Sequence, residues 1–252
     1  MSPRHRCLLM LAAAAGLLVF YGWGAAGLPG FGDTVSVYGT TINHVVAAER
    51  QVTNAVSAVV FDYRGYDTMG EELILFVSVV GVTLLLRERR SEEDEITADA
   101  AAAEQAPSSD AIRSGGVVVA TATMLTGLYV VAHGQLTPGG GFQGGIVLGA
   151  AFVLVYAAGA FGRLRRLEPA PWMELADAAG AAGLVLLGLG GLLAGGAFFH
   201  NFLSTGTIGQ LQSGGIIPFA NVAVGLEVMG ATVLLGAEFL QDVLVARRQE
   251  QA

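Results

Sequence analysis

The chain has 252 residues, of which 53% are hydrophobic and 13% charged, and its formal net charge at pH 7 is −8. This composition lies outside the range of ordinary soluble domains and is typical of a polytopic membrane protein. We expect no nucleic acid partner.

Six apolar runs approach or exceed the roughly 18 to 20 residues that cross about 30 Å of hydrocarbon as a helix. They lie at about 8–28, 70–87, 115–134, 143–162, 176–198 and 217–240. The runs show no strand alternation, so we predict an all-α polytopic membrane protein with six transmembrane helices in a two-plus-four arrangement.

The first run has the basic front and apolar body of a secretory signal. The following "GWGAAGLPGFG" stays apolar and offers no clear cleavage site, so we expect this run to be retained as a span. Cys7 is the only cysteine, which excludes an intrachain disulfide and a Cys-based zinc or iron–sulfur site within this chain. We expect neither a metal site nor a cofactor.

A group of charged residues precedes and opens the second run. Its members are Asp62, Arg64, Asp67, Glu71 and Glu72. In a structural interpretation, Thr68 and Glu71 form a T-x-x-E capping box at the start of the helix, and Arg64 neutralises a neighbouring carboxylate. In a functional interpretation, the acids gather cations at a pore mouth, because carboxylate oxygens suit hard ions such as Na+.

The segment 88–116 contains eight carboxylates and many Ala and Ser residues but no aromatic residue. This composition is typical of a flexible cytoplasmic linker. We therefore predict a two-span domain at 1–90, a linker at 91–112 and a four-span domain at 113–252.

The segment "HGQLTPGGGFQGG", residues 133–145, lies between the third and fourth runs and is called the signature loop below. Its notable residues are His133, Pro138, Gly139, Gly140, Gly141, Phe142, Gly144 and Gly145. In one interpretation it is a tight hairpin whose glycines permit close packing. In the other, His133 and the bare backbone contact water or an ion, because irregular backbone at membrane depth is tolerated where it lines a cavity or is buried in protein.

Two later runs contain further acids. Glu227 lies near the middle of the last run, where a carboxylate is costly and marks an ion path or a bond to another helix. Asp177, with Glu174, is expected at the start of the fifth span, near the positive end of that helix. Glu238 and Asp242 are expected near the membrane boundary.

Arginine placement indicates the orientation. Eleven of the thirteen arginines fall on one side of a six-span arrangement, and only Arg50 and Arg64 fall on the other. The positive-inside rule then places both termini in the cytoplasm of a multi-pass protein of the cell membrane.

Three quoted stretches carry a resemblance to a known family. "HGQLTPGGGFQGGIVLGAAFVL" and "GGIIPFANVAVGLEVMGATVLL", within 113–248, resemble the B subunit of Mrp-type multisubunit Na+/H+ antiporters. "TNAVSAVVFDYRGYDTMGEELILFVSVVGVTLLLR", residues 53–87, is similar to the small domain at the carboxyl end of the A subunit of these antiporters. The resemblance describes two pieces, usually on different polypeptides, fused in one chain.

The resemblance implies a non-catalytic subunit of a cation/H+ antiporter that assembles with A-, C-, D-, E-, F- and G-type subunits in lipid, with Na+ and H+ as the transported ions. The proposed ion-pathway residues are His133, Glu227, Asp62, Arg64, Asp67, Glu71 and Glu72. The alternative is a membrane subunit of a related hydrogenase or complex I-like complex. The sequence contains no catalytic motif that would indicate an intramembrane enzyme. It also shows no inverted repeats, which a stand-alone transporter would be expected to have.

Overall fold

The computed structural model describes residues 3–30, 36–88, 109–155, 158 and 169–251, and the elements below belong to these ranges. The α-helices are α1 (Pro3–Ala26), α2 (Val37–Arg50), α3 (Ala55–Ala58), α4 (Gly65–Glu88), α5 (Asp110–Ala132), α6 (Gly141–Val155), α7 (Pro169–Leu193) and α8 (Ile217–Gln251). A π-helical turn, Val59–Tyr63, joins α3 to α4. The predicted all-α class is confirmed, and no strand occurs in these ranges.

Five of these helices are long and apolar enough to cross a membrane. The spanning stretches are Arg4–Ala26, Gly65–Leu86, Asp110–Ala132, Pro171–Leu193 and Ile217–Leu240. The predicted span at 143–162 corresponds to α6, which has 15 residues and is too short to cross about 30 Å at about 1.5 Å per residue. Most of its remainder lies outside the described residues, so the count of six spans stays a prediction.

The chain divides into two compact units, Met1–His44 and Val45–Ala252. The first unit contains α1, whose side chains from Arg4 onwards are all exposed. The second contains α3 to α8, so residues on both sides of the predicted linker pack within one unit. The predicted boundaries at 90 and 113 stay a prediction, and most of the linker 91–112 lies outside the described residues.

The second unit is organised around α8, which packs against α7, α6 and α4, while α5 packs against α6. One core cluster joins Val79 of α4, Met173 of α7 and Ala231 of α8. Because helices from the segment before residue 88 and from the segment after residue 109 meet in this core, the two segments share one interior.

Local sequence explains where these helices begin and end. The Ser109 Oγ accepts a hydrogen bond of 3.2 Å from the Ile112 N–H, which caps α5. Pro218 is the second residue of α8, where a missing N–H has no cost. The capping box expected at Thr68 and Glu71 is wrong, because α4 begins at Gly65 and the Thr68 hydroxyl donates to the Val60 carbonyl at 2.6 Å.

Candidate functional site

Three carboxylates lie inside the second unit, each on a different membrane-spanning helix. Glu72 belongs to α4, Asp177 to α7 and Glu227 to α8, and their exposed fractions are 4%, 3% and 0%. Leu75, Met173 and Ala231, each about one helical turn from one of these acids, pack together in one core cluster. The structure therefore brings these three acids, the carboxylate cluster, together in the protein interior.

The carboxylate cluster contains buried oxygen atoms that accept no hydrogen bond. Both oxygens of Glu227, the Oε2 of Glu72 and the Oδ1 of Asp177 are in this state. The ion pairs between the described residues, Arg50 with Asp62 and Arg64 with Asp67, do not include these three acids. An ionised carboxylate buried without a cation or donors costs several kcal/mol. Such a group within a membrane helix is by default a functional site.

Reciprocal acid–glycine contacts hold α7 against α8 at the cluster. A Cβ added at Gly180 of α7 would lie 2.6 Å from the Cβ of Glu227, and one added at Gly230 of α8 would lie 3.0 Å from the Cβ of Asp177. Each acid thus faces the glycine that lies three residues beyond the acid of the other helix. Because the glycines carry no side chain, the two backbones approach closely and the carboxylates are enclosed.

The three acids of the carboxylate cluster are not placed around one point. In the described ranges, no group of three His, Cys, Asp or Glu side chains is placed to hold one metal ion.

The signature loop is held by two residues that precede α3. The Asn54 Nδ2 donates hydrogen bonds to the carbonyls of Gly134 at 2.7 Å, Thr137 at 2.9 Å and Gly139 at 3.2 Å. The Thr53 hydroxyl donates to the Leu136 carbonyl. Irregular backbone buried in a membrane protein requires such internal partners.

The other end of the signature loop is held by Asn221 of α8. Its Oδ1 accepts a hydrogen bond of 2.8 Å from the Gly141 N–H, and its Nδ2 donates to the Ser57 hydroxyl at 3.0 Å. Gly139 and Gly140 have φ angles of +128° and +154°, which other residues adopt only with strain. The loop is therefore a built junction between α3, α6 and α8.

His133 ends α5 and is half-buried. Its ring stacks on Tyr129, with centroids 4.1 Å apart, and its Nδ1 lies 3.0 Å from the Tyr129 carbonyl. When Nδ1 carries a proton, that nitrogen donates to the carbonyl. The role of His133 in an ion path stays a prediction.

Asp62, one of the acids predicted at a pore mouth, has a buried carboxylate with its own partners. Its Oδ2 lies 2.8 Å from the Arg50 Nε, close enough to pair as ions, although that N–H is not aligned for a hydrogen bond. The same oxygen accepts a hydrogen bond of 2.7 Å from the Asn201 Nδ2. This carboxylate is therefore bound within the protein.

The remaining acids of that group differ in their exposure and in their partners. Asp67 accepts a hydrogen bond of 2.6 Å from the Arg64 Nε, as the structural interpretation predicts. Glu71 is exposed, whereas Glu72 is buried in the carboxylate cluster. The structure does not bring the predicted acids into one mouth, and their part in an ion path stays a prediction.

Tyr63 adds a polar contact beside Asp62. Its hydroxyl donates to the Glu49 Oε2 at 2.9 Å, and its ring lies under the Arg50 guanidinium, 5.0 Å from ring centroid to Cζ. Partial burial, aided by the Glu49 hydrogen bond, raises the pKa of Tyr63 to about 12. Tyr63 therefore keeps its proton at all ordinary pH values.

The contact of Asp177 with Glu227 was not predicted from the sequence. The prediction that Asp177 opens its helix is wrong, because α7 begins at Pro169, more than two turns earlier. A usable signal was the spacing D-x-x-G at Asp177–Gly180 and E-x-x-G at Glu227–Gly230, which places an acid and a small residue on one helix face. The roles of Asn54 and Asn221 had no comparable signal, since lone amides are common near helix ends.

The fold and the carboxylate cluster together define a multi-pass helical membrane protein with ionisable groups inside its bundle. Residues 112–234 match the family model described as a domain related to the MnhB subunit of Na+/H+ antiporter. An uncharacterized protein of Methanocaldococcus jannaschii is 32% identical over 233 residues, which cover 83% of this chain and 87% of the relative. A probable K(+)/H(+) antiporter A/B subunit of Rhizobium meliloti is 27% identical over 207 residues, or 73% of this chain and 20% of the relative.

Two solved structures share the fold. A chain of the membrane-bound sulfane sulfur reductase, an archaeal respiratory membrane complex, superposes with a TM-score of 0.71 and 32% identity, covering 92% of this chain and 98% of that one. A chain of the Mrp complex from Dietzia sp. DQ12-45-1b gives a TM-score of 0.72 at 23% identity, with coverage of 94% and 26%. This chain therefore spans about a quarter of its Mrp counterpart and nearly all of its reductase counterpart.

The chain belongs to one family with the Methanocaldococcus jannaschii protein, and its residues 112–234 carry a domain related to the MnhB subunit. The predicted resemblance to the B subunit of Mrp-type antiporters is confirmed by the family match. The identification of residues 53–87 with the carboxyl end of the A-type polypeptide stays a prediction, with which the long matches are compatible.

Proposed function

We propose that the chain is a non-catalytic membrane subunit of a multisubunit cation/H+ antiporter and contributes carboxylates to the ion path. The observation that carries this proposal is the carboxylate cluster, which is buried in spanning helices and free of a structural partner. The family match and the relative named as an antiporter subunit support it. The partners proposed are A-, C-, D-, E-, F- and G-type subunits, with Na+ and H+ as the ions.

The chemistry of the interior supports an ion-handling role over catalysis. The buried polar side chains of the described residues are carboxylates, amides and hydroxyls, namely Ser57, Thr68, Glu72, Gln135, Asp177, Ser213, Asn221 and Glu227. A nucleophilic mechanism needs a hydroxyl or thiol paired with a base. The Ser57 hydroxyl is bound to the amide of Asn221, which is no base. We therefore propose that this chain binds and passes ions while other subunits complete the exchange.

A second candidate, a subunit of a related respiratory complex, is favoured by one observation. The archaeal reductase chain is matched over 98% of its length, whereas the antiporter relative is matched over 20%. The two candidates differ in their partners, because a reductase or hydrogenase requires redox subunits rich in cysteine.

Purification with intact partners separates the two candidates. The complex is extracted from native membranes through a tag on this chain, its components are identified by mass spectrometry, and its iron is measured. Antiporter-type partners without iron, together with Na+/H+ exchange in vesicles, are the expected result. Redox subunits with stoichiometric iron would contradict the antiporter proposal and favour the second candidate. Vigorous exchange by this chain alone would contradict the subunit role.

We also propose that the protein lies in the cell membrane with both termini in the cytoplasm. With Cys7 replaced, cysteines introduced near Arg89 and Arg165 should be protected from an impermeant thiol reagent added to whole cells, and one near Thr205 should react. Labelling in the opposite sense would reverse the orientation.

A further inference from the structure

We propose that Glu72, Asp177 and Glu227 form one coupled proton-binding site that does not bind Na+. This inference deepens the proposed function and rests on it in one respect. The protons bound at this site would be protons that the complex exchanges. The reaction is simple: binding forms one O–H bond on a carboxylate and release breaks it, so no electron moves and no further reactant is needed.

Four oxygen atoms of the carboxylate cluster take part in no hydrogen bond, unlike some other buried polar groups of this unit. Two other buried polar side chains of the same unit are bound: Asp62 by Arg50 and Asn201, and Asn221 by Gly141 and Ser57. In the carboxylate cluster, four oxygen atoms are buried and accept nothing. A proton is the ligand that such an oxygen can take without any additional partner, and it removes the cost of a buried charge.

The geometry of the carboxylate cluster suits a proton better than a metal cation. A hard cation needs several oxygen ligands at short distance around one point. The described residues provide no group of three acidic, His or Cys side chains with that placement. A proton needs one oxygen, so separated carboxylates can each hold one.

Among the described residues, Glu72 and Asp177 are the acids that the neighbouring helices α4 and α7 bury beside Glu227. Helix α4 supplies Glu72, one turn before Leu75 of the shared core, and α7 supplies Asp177, whose Cβ lies against Gly230 of α8. Helix α6 has no titratable side chain in its sequence. The remaining neighbours bring groups already engaged: Asp62 and Tyr63 of the π-helical turn are bound by Arg50 and Glu49, and His133, which ends α5, stacks on Tyr129.

These neighbours make the site a coupled one. A negative charge on any of the three acids opposes a second negative charge nearby. The protons of such a group belong to the whole set and leave in linked steps. The cluster would therefore pass protons between α4, α7 and α8 while keeping the total charge low.

Dicyclohexylcarbodiimide tests this on the purified native complex without any transport measurement. This apolar reagent reacts with a protonated carboxyl group: the proton moves to a carbodiimide nitrogen, the carboxyl oxygen bonds the central carbon, and the adduct is located by mass spectrometry. We expect labelling of at least one cluster acid, falling as the pH rises, with the same profile in sodium chloride and in choline chloride.

Three outcomes would overturn the proposal. Protection by sodium at constant pH would show a cation site. No labelling of any cluster acid at any pH, with the complex intact, would show that no protonated acid is present. Labelling of all three acids without pH dependence would show groups that never release a proton.

Variants test the coupling. In Glu227→Gln, the labelling midpoint of Glu72 should move to lower pH by about one unit, because one negative charge is removed. The matched control is Glu174→Gln on α7, an exposed acid, which should leave the profile unchanged. If the labelling midpoint of Glu72 is unchanged in Glu227→Gln, the acids do not form one coupled site. Labelling of the wild-type complex needs no exchange activity. The labelling result therefore tests the proton site independently of the antiporter assignment, which is tested by exchange in vesicles.

Discussion

The signature loop and the carboxylate cluster meet the same helix less than two turns apart, at Asn221 and Glu227 of α8. They differ in whether their polar atoms have hydrogen-bond partners. In the loop, Asn54, Thr53 and Asn221 satisfy carbonyls and an N–H of irregular backbone. In the cluster, the carboxylate oxygens are left without donors. The difference shows that the amides of Asn54 and Asn221 hold the irregular backbone of the loop, whereas Glu72, Asp177 and Glu227 hold no backbone in this way.

The largest expected effect tests the cluster side of this comparison. Glu227→Gln should preserve subunit content, because the neutral amide copies the shape of a protonated acid, while lowering exchange in vesicles at least about tenfold. Subunit content is read by co-purification and exchange by a pH-sensitive dye. Glu174→Gln provides the exposed control. Full exchange by a well-assembled Glu227→Gln complex would make the cluster a structural feature like the loop.

The next effect tests the loop side. Asn54→Ala removes a helix cap and the donor to three carbonyls, which should destabilise the complex by about 3 kcal/mol. Thermal unfolding of the purified complex measures the loss. Asn54→Asp keeps the capping oxygen but not the N–H groups, so it should be as unstable if the loop contacts dominate. Stability close to that of exposed Asn43→Ala would show that the loop holds itself.

A smaller effect is expected where the two helices enclose the cluster. Gly180→Ala places a Cβ 2.5 Å from the Glu227 backbone nitrogen, and the forced separation of α7 and α8 should cost about 1–3 kcal/mol. It should also alter the pH dependence of exchange, because the acids move apart. Gly81→Ala, whose Cβ would meet nothing within 4 Å, is the matched control. Equal thermal unfolding of the two variants would contradict the close contact.

The smallest effect concerns His133, whose half-buried ring joins neither set of contacts. His133→Ala removes one stacking contact and one hydrogen bond, so assembly should remain normal. If the imidazole meets the ion path, the pH profile of exchange should shift, because the substitution removes a group that can carry a proton. We expect this shift. An unchanged rate and profile in an assembled complex would leave the loop with a packing role alone.

Sequence patterns predicted the long helices well, because apolar runs as long as a membrane is thick have few alternatives. They did not predict α2 or the π-helical turn, which are short and carry mixed polar residues. They also identified Glu227 and Glu72 separately but could not show that the two meet. Helices that are apolar all round give no periodicity to reveal which face is buried, so the partner of a lone acid stays hidden.

The Asn54 contact with the signature loop also bears on how the molecule is assembled in the cell. The donor precedes residues 89–108 and the acceptors follow them. The resemblance describes the two pieces as usually separate polypeptides, in which case this hydrogen bond would join two subunits. In this protein it joins two parts of one chain. Because both pieces belong to one polypeptide, this contact forms within a molecule and does not depend on the concentration of a separate partner. Equal amounts of the two partners are guaranteed by translation of a single message, and neither can be lost by dilution into the bilayer.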